Sequence, residues 1–204
     1  MALYPCNMIS KDKPEFMDAA IVSLKERGLD ATGWSKAHKL NLWARTGHAK
    51  EAFQLVQSAV GGGNSGFLTN LFCSHGGGEN YKEYPIFQID GNYGYTAGVN
   101  EMLLQSQLGY VQFLPALPDQ WKTGYVRGIA ARGNFVIDME WKDGRGEAFT
   151  VTSRSGKRFM GEYKDLAFYK VTDANGNIIS AERYGNDRIG FSTEEGKTYF
   201  IIRE

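Results

Sequence analysis

Pro85-Ile86-Phe87-Gln88-Ile89-Asp90-Gly91-Asn92-Tyr93-Gly94 divides this chain. An acid stands between an apolar run and two glycines, directly before a segment of helical spacing. Upstream the apolar pattern is helical; downstream, after a short bridge, it repeats every second residue. Asp90 is therefore a carboxylate close to a change of structural class. The glycines let the backbone turn sharply or approach a ligand closely. On local pattern alone, Asp90 or Asn92 reads as a cap of the following helix.

Working upstream, residues 10–28 predict a helix. Ser10 or Asp12 can cap it, Pro14 fits its first turn and Gly28 stops it. Phe16, Met17, Ala19, Ala20, Ile21 and Leu24 give a broad apolar face. A second helix follows with Thr32 as cap and Trp34, Ala37, Leu40, Asn41 and Ala44 at helical spacing. Thr46-Gly47-His48 breaks it. A third carries Ala49, Ala52, Phe53, Val56 and Val60 on one side and ends at Gly61-Gly62-Gly63. Helices joined by short turns are antiparallel neighbours, the unit of a bundle or toroid. Residues 61–89 read as a long stretch with two Gly triplets and a short pinned segment at Leu68–Phe72, and such loops are often functional. A last helix is expected to reach about Gln107.

Downstream of Gly109 the period is two. Val111–Leu114 leads into the rigid segment Pro115–Pro118. Strands are then expected at Tyr125–Ala131, Asn134–Trp141, Ala148–Ser153, Arg158–Tyr163, Phe168–Asp173, Asn177–Arg183, Arg188–Ser192 and Thr198–Arg203. Asp143-Gly144, Asn175-Gly176 and Glu195-Gly196 are turn signals between such runs. The spacing predicts an antiparallel sandwich. The fold expected is α then β, with domains at residues 1–107 and 108–204.

Composition narrows the function. Lys plus Arg equals Asp plus Glu, 23 against 23. No basic stripe marks a nucleic-acid partner. No apolar run approaches the roughly 20 residues of a membrane span, and the first residues do not read as a signal peptide. Met1-Ala2-Leu3-Tyr4-Pro5 resembles the middle of a domain. Cys6 and Cys73 lie far apart, without metal-ligand spacing.

The titratable groups are few. His38, His48 and His75 pair with no Cys, Asp or Glu at ligand spacing, which argues against zinc. His48 is expected exposed. His38 shares a helical face with Trp34 and reads first as a core or capping residue. His75 fits a substrate-facing role and plain solvation equally. No Gly-x-Ser-x-Gly or reactive Cys motif supports acyl transfer. Gly91-Asn92-Tyr93-Gly94 lacks the spacing of a phosphate cradle. Trp34, Trp43, Tyr93 and Tyr95 are candidates for a sugar platform, although helical spacing places Trp43 in a core. Carboxylate-driven glycoside hydrolysis needs an acid on one side of the bond and a water activator on the other. Asp90 fits one role; Glu79, Glu83 and Glu101 read as solvated.

Longer motifs carry a resemblance. Phe87–Gly94 with Thr96-Ala97-Gly98 and Glu101–Ser106 resembles a signature of glycoside hydrolase family 95, the inverting α-L-fucosidases that act on terminal α-1,2-fucose. Thr32-Gly33-Trp34-Ser35 with Lys39 and Asn41–Arg45 is similar to the preceding helix of that family. Leu114–Pro118, Trp121, Val126-Arg127-Gly128 and Ala131-Arg132-Gly133 are similar to the join with its C-terminal β-domain.

The resemblance implies the last helices of an (α/α)6 toroid followed by a β-sandwich-like domain. It implies that Asp90 assists a pair of asparagines in activating the attacking water, with Gln88, Asn92, Trp34 and His38 as candidate substrate contacts. The general acid, the asparagine pair and an Arg-His pair would all precede Met1. The expectation is therefore a C-terminal portion of such an enzyme, inactive alone. Its partners are a fucosylated oligosaccharide or glycan and the missing N-terminal part of the same enzyme. No cofactor or metal is implied. Localisation stays open, the family being usually secreted or periplasmic. Two alternatives remain: a non-catalytic carbohydrate-binding or structural β-module, and specificity for α-L-galactosides.

Overall fold

A computed structural model describes residues 2–61, 66–68, 70–75 and 86–204. The chain divides into two compact units, Met1–Met102 and Leu103–Glu204.

The first unit holds α1 (Pro14–Arg27), α2 (Gly33–Arg45), α3 (Ala49–Val60), the short strands β1 (Gly66–Phe67) and β2 (Cys73–Ser74), and α4 (Ile89–Leu103). Pro14 opens α1 because the missing N–H costs nothing in a first turn. Lys13 occupies the cap position without a side-chain bond, and neither Ser10 nor Asp12 caps the helix. The Ser10 hydroxyl instead accepts the Asp12 N–H at 3.3 Å. Only Met17 and Leu24 of the expected apolar face are buried, and Phe16 is 60% exposed.

Helix α2 is buried on nearly every side, including Lys36 and Lys39. Their stems pack while the ammonium groups find oxygen. Lys39 Nζ donates to the carbonyls of Arg27 at 3.2 Å and Asp30 at 2.9 Å. That satisfies one of the orphan carbonyls at the end of α1. Lys36 Nζ donates to Ser58 Oγ of α3 at 3.0 Å.

Helices α2 and α4 touch through glycine. A Cβ on Gly94 would lie 2.8 Å from Ala37 Cβ, and one on Gly98 would lie 2.6 Å from Leu40 Cδ2. Residues 94 and 98 are one turn apart, so their lack of side chains opens a single groove for α2. Asn41 Nδ2 stitches the contact by donating to Ala37 and Gly94 carbonyls, at 2.9 and 2.8 Å. At the other end, Arg45 grips Glu101 with Nε and with Nη2 at 2.9 Å. Arg45 Nη1 also donates to the carbonyls of Leu3 and Cys6. Glu101, expected as a solvated carboxylate, is instead half of a part-buried ion pair.

The second unit has two five-stranded sheets. The first runs Glu182–Tyr184 (β10), Arg188–Phe191 (β11), Phe159–Glu162 (β8), Val111–Phe113 (β4) and Leu104–Gln105 (β3) in spatial order. The second runs Gly124–Ala131 (β5), Phe135–Lys142 (β6), Arg145–Ser153 (β7), Thr198–Ile202 (β12) and Lys170–Asp173 (β9). The expected sandwich is mostly antiparallel, but β4 and β8 pair in parallel. The β6–β7 hairpin turns on Asp143 and Gly144, with φ of 51° and 75°. Those left-handed values belong to the two-residue turn that matches strand twist. The inner faces meet in an aromatic core, where Phe113 of one sheet stacks on Phe149 of the other at 4.1 Å. Phe135 meets Phe159 edge-on at 5.1 Å.

Two expected elements end elsewhere. α4 stops at Leu103 rather than about Gln107, because Leu104 and Gln105 pair with Phe113 and Gln112. The strand expected over Asn177–Arg183 is reduced to Glu182–Tyr184 and an isolated bridge from Ile178 to Thr172. The Asp173 carboxylate accepts the Asn175 and Asn177 N–H groups, both at 2.9 Å, and bends the chain there.

Candidate active site

Four pieces of the helical unit converge on the backbone of Cys73, Ser74 and His75. Gly33 opens α2 and donates its N–H to the His75 carbonyl at 3.0 Å. His75 N–H donates to the Ile86 carbonyl at 2.9 Å, and Gln88 N–H to the Cys73 carbonyl at 2.8 Å. Ser74 bridges Phe87. The first turn of α4 then begins at Ile89. The approach is close enough that only glycine fits beside the thiol: a Cβ on Gly33 would lie 2.7 Å from Cys73 Sγ, and one on Gly91 would lie 2.8 Å from Cys73 Cβ.

Asp90 stands in the first turn of α4 and is exposed. It lies inside the helix rather than at its cap, where the helix dipole favours a carboxylate. Asn92 is not a cap either. Its Oδ1 accepts the Cys73 N–H at 2.9 Å, and its Nδ2 donates to the Leu71 carbonyl at 2.9 Å. Gln88 Oε1 accepts the backbone N–H of Trp34 at 3.3 Å. Both amides flanking Asp90 in the sequence are thus spent on the protein's own backbone.

Thr32 occupies the cap position of α2, but its hydroxyl makes no capping bond. The orphan N–H groups of Gly33 and Trp34 are met by His75 and Gln88 instead, from more than 40 residues away. The side chain of Trp34 is 47% exposed, among other uncovered apolar groups: Phe72 and Phe87, whose rings are 4.7 Å apart, and Ile89 and Tyr93 of α4.

His38 is half-buried, with its ring 6.3 Å from that of Tyr4. Burial lowers its pKa, against an opposing backbone hydrogen bond with Tyr4. The Tyr4 ring also lies under Arg45, at 5.2 Å. His38 and Arg45 therefore hold the Leu3–Pro5 segment, while Gln88 binds the start of α2 at Trp34 and Asn92 binds Cys73 and Leu71. Burial raises the Cys73 thiol, and the nearby Asp90 charge adds to it. His75 is half-buried in the same backbone network, and His48 hydrogen-bonds Thr46. Tyr95 is buried against Phe67, with ring centroids 5.3 Å apart. Trp43 is a core residue, 1% exposed. Glu79, Glu83 and the second Gly triplet lie outside the described residues.

Sequence reading missed Cys73 and the Arg45–Glu101 pair as parts of this frame. Cys73 carries no local pattern, and residues 45 and 101 are joined only by folding. Among the described residues no group of three His, Cys, Asp or Glu side chains could hold a metal. No described helix is long and apolar enough to cross a membrane.

Comparison with known proteins covers both units. Residues 1–103 match the glycosyl hydrolase family 95 catalytic domain. Residues 105–201 match the glycoside hydrolase family 95 C-terminal domain. The chain is 36% identical to alpha-L-fucosidase 2 of Arabidopsis thaliana over 152 residues, 70% of this chain and 17% of that protein. It is 28% identical to a probable alpha-fucosidase A of Aspergillus niger over 158 residues, 69% of this chain and 19% of the relative. A probable alpha-fucosidase A of Aspergillus oryzae is also 28% identical, over 60% of this chain and 18% of its own length. The chain spans less than a fifth of the length of these relatives. With an exposed acid framed by Gln88 and Asn92, and with family matches running through both units, the chain belongs to glycoside hydrolase family 95.

Proposed function

We propose that this chain supplies the C-terminal part of an inverting, exo-acting glycoside hydrolase that removes terminal α-1,2-linked L-fucose from glycans. Asp90 is its water-activating carboxylate. The observation that carries the reading is the setting of Asp90: an exposed acid in the first turn of α4, with its neighbours tied down on either side.

In the reaction, water attacks the anomeric carbon from the face opposite the leaving oxygen. Asp90, acting through a pair of asparagines, draws off the water proton as the carbon–oxygen bond forms. A carboxylic acid protonates the departing oxygen. The products are L-fucose of inverted configuration and the shortened glycan. Glu101 does not serve as that acid, because Arg45 holds it as a carboxylate in a part-buried, two-point pair. The acid and the asparagines come from sequence preceding Met1, and α1–α4 form the last helices of an (α/α)6 toroid.

The exposed Trp34, Phe72, Phe87, Ile89 and Tyr93 support this incompleteness. Exposed apolar surface of that kind favours covering by further protein. The expected partners are the fucosylated glycan and the upstream part of the same enzyme. Assay on 2'-fucosyllactose tests the reading. The 204-residue chain alone should give no turnover, and the chain with the upstream part of the catalytic domain should give turnover that Asp90→Asn abolishes. Turnover by the isolated chain would refute its incompleteness; turnover indifferent to Asp90→Asn would refute the role of the acid.

A further inference from the structure

We infer that Asn92 is a positioning residue: its amide fixes the direction of Asp90 by fastening the first turn of α4 to Cys73, and it does not bind the sugar. The inference rests on the proposed role of Asp90. Gln88 immediately precedes α4, and Asn92 follows Asp90 by two residues in its first turn, so the side chains of 90 and 92 point roughly 160–200° apart.

The start of α4 is bound to the peptide group on each side of Cys73. Gln88 N–H donates to the Cys73 carbonyl at 2.8 Å, and Asn92 Oδ1 accepts the Cys73 N–H at 2.9 Å. Asn92 Nδ2, donating to the Leu71 carbonyl at 2.9 Å, completes the clasp. Only an amide offers both polarities there; a carboxylate would keep the acceptor and face the Leu71 carbonyl with a second one. Gly91 allows the contact, since a Cβ on it would run into Cys73. With Gly91 and Asn92 held against Cys73, the first turn of α4 is locked and presents Asp90 in a fixed direction.

Asn92→Leu removes both bonds at similar volume, and Asn92→Asp removes only the donor. In the chain completed by the upstream part, Asn92→Leu should lower kcat about tenfold or more, with KM within about twofold, because misplacing a reacting group slows the chemistry. Asn92→Asp should fall between Leu and the parent. A rise in KM at unchanged kcat would mean a sugar contact and overturn the inference. So would a lower melting point with kcat of the folded enzyme unchanged, which marks a purely structural role.

A second arm uses the 204-residue chain alone. The carboxyl-carbon resonance of Asp90 should shift and the Cys73 amide should exchange faster in both variants, with the amides of β6 and β7 unaffected. An unmoved Asp90 resonance overturns the inference whatever the activity. If the completed parent enzyme shows no turnover, the proposed function fails and the resonance still decides the role of Asn92. Asn92→Asp, the milder change, serves if Asn92→Leu does not fold.

Discussion

The two units have similar lengths and close their cores differently. The β unit packs a phenylalanine core between its sheets, with Phe113, Phe149, Phe159 and Phe191 each at most 2% exposed, while Tyr125 and Phe168 stay outside. The helical unit keeps Trp34, Phe72, Phe87 and Tyr93 between 46% and 71% exposed. Its interior is instead held by close backbone approach at Gly94 and Gly98 and by the Arg45–Glu101 pair. A sheet sandwich closes its core with its own two inner faces. A set of helices closes only when each apolar face has a partner. The β unit therefore reads as finished and the helical unit as one side of something larger, which is where the candidate acid lies.

Hydrogen exchange resolved by segment can break or sharpen this contrast. The largest effect is expected from Phe149→Ala, which empties the space between the two sheets. It should destabilise the β unit by about 3–5 kcal/mol and leave exchange in α2 unchanged. Faster exchange in α2 would mean the units do not unfold separately.

Arg45→Met should cost the helical unit about 2–3 kcal/mol, because Glu101 is left partly desolvated without its cation. An unchanged α2 and α4 would show the pair to be solvated in solution. Gly94→Ala follows. The added Cβ meets Ala37, so the crowding, at about 1–3 kcal/mol, should outweigh the helical gain of up to about 1 kcal/mol. Stabilisation by this change would show that α2 and α4 are not in close contact.

The smallest effect concerns pH and the β unit. Burial, helped by the neighbouring Tyr163, pushes the Tyr169 phenol up to about 12. Its O–H donates to the Gly146 carbonyl at 2.7 Å. The unfolded phenol loses its proton near pH 10, so between about pH 10 and 12 the folded state binds the extra proton. Stability from this group is complete below pH 10 and is lost as pH rises toward 12. Tyr169→Phe should cost about 1 kcal/mol at neutral pH and flatten that alkaline slope. An identical slope in the variant would assign it to other groups.

Much of the β unit was legible in the residue order because strand period and turn chemistry are local. Asp143-Gly144 turns where it was expected to, and alternating residues of β6 face inward. The parallel β4–β8 pair was not legible, since it joins strands almost fifty residues apart without a hairpin between them. The helical unit shows the same division. Pro14, Gly28 and the Thr46–His48 break mark helix ends, whereas the capping groups of α2 come from His75 and Gln88.

Asp90 shows what each level determines. Its place in a family signature, at the change from helical to strand period, is fixed by the order of residues alone. Which neighbours serve it was decided by folding. Gln88, Asn92, Trp34 and His38 are the substrate contacts expected from the sequence. In the folded chain the two amides are turned onto the backbones of Trp34, Leu71 and Cys73, groups that the order of residues does not place beside them. A sequence specifies that these groups exist; only the tertiary structure specifies which side chains are spent on satisfying them and which remain free to do chemistry.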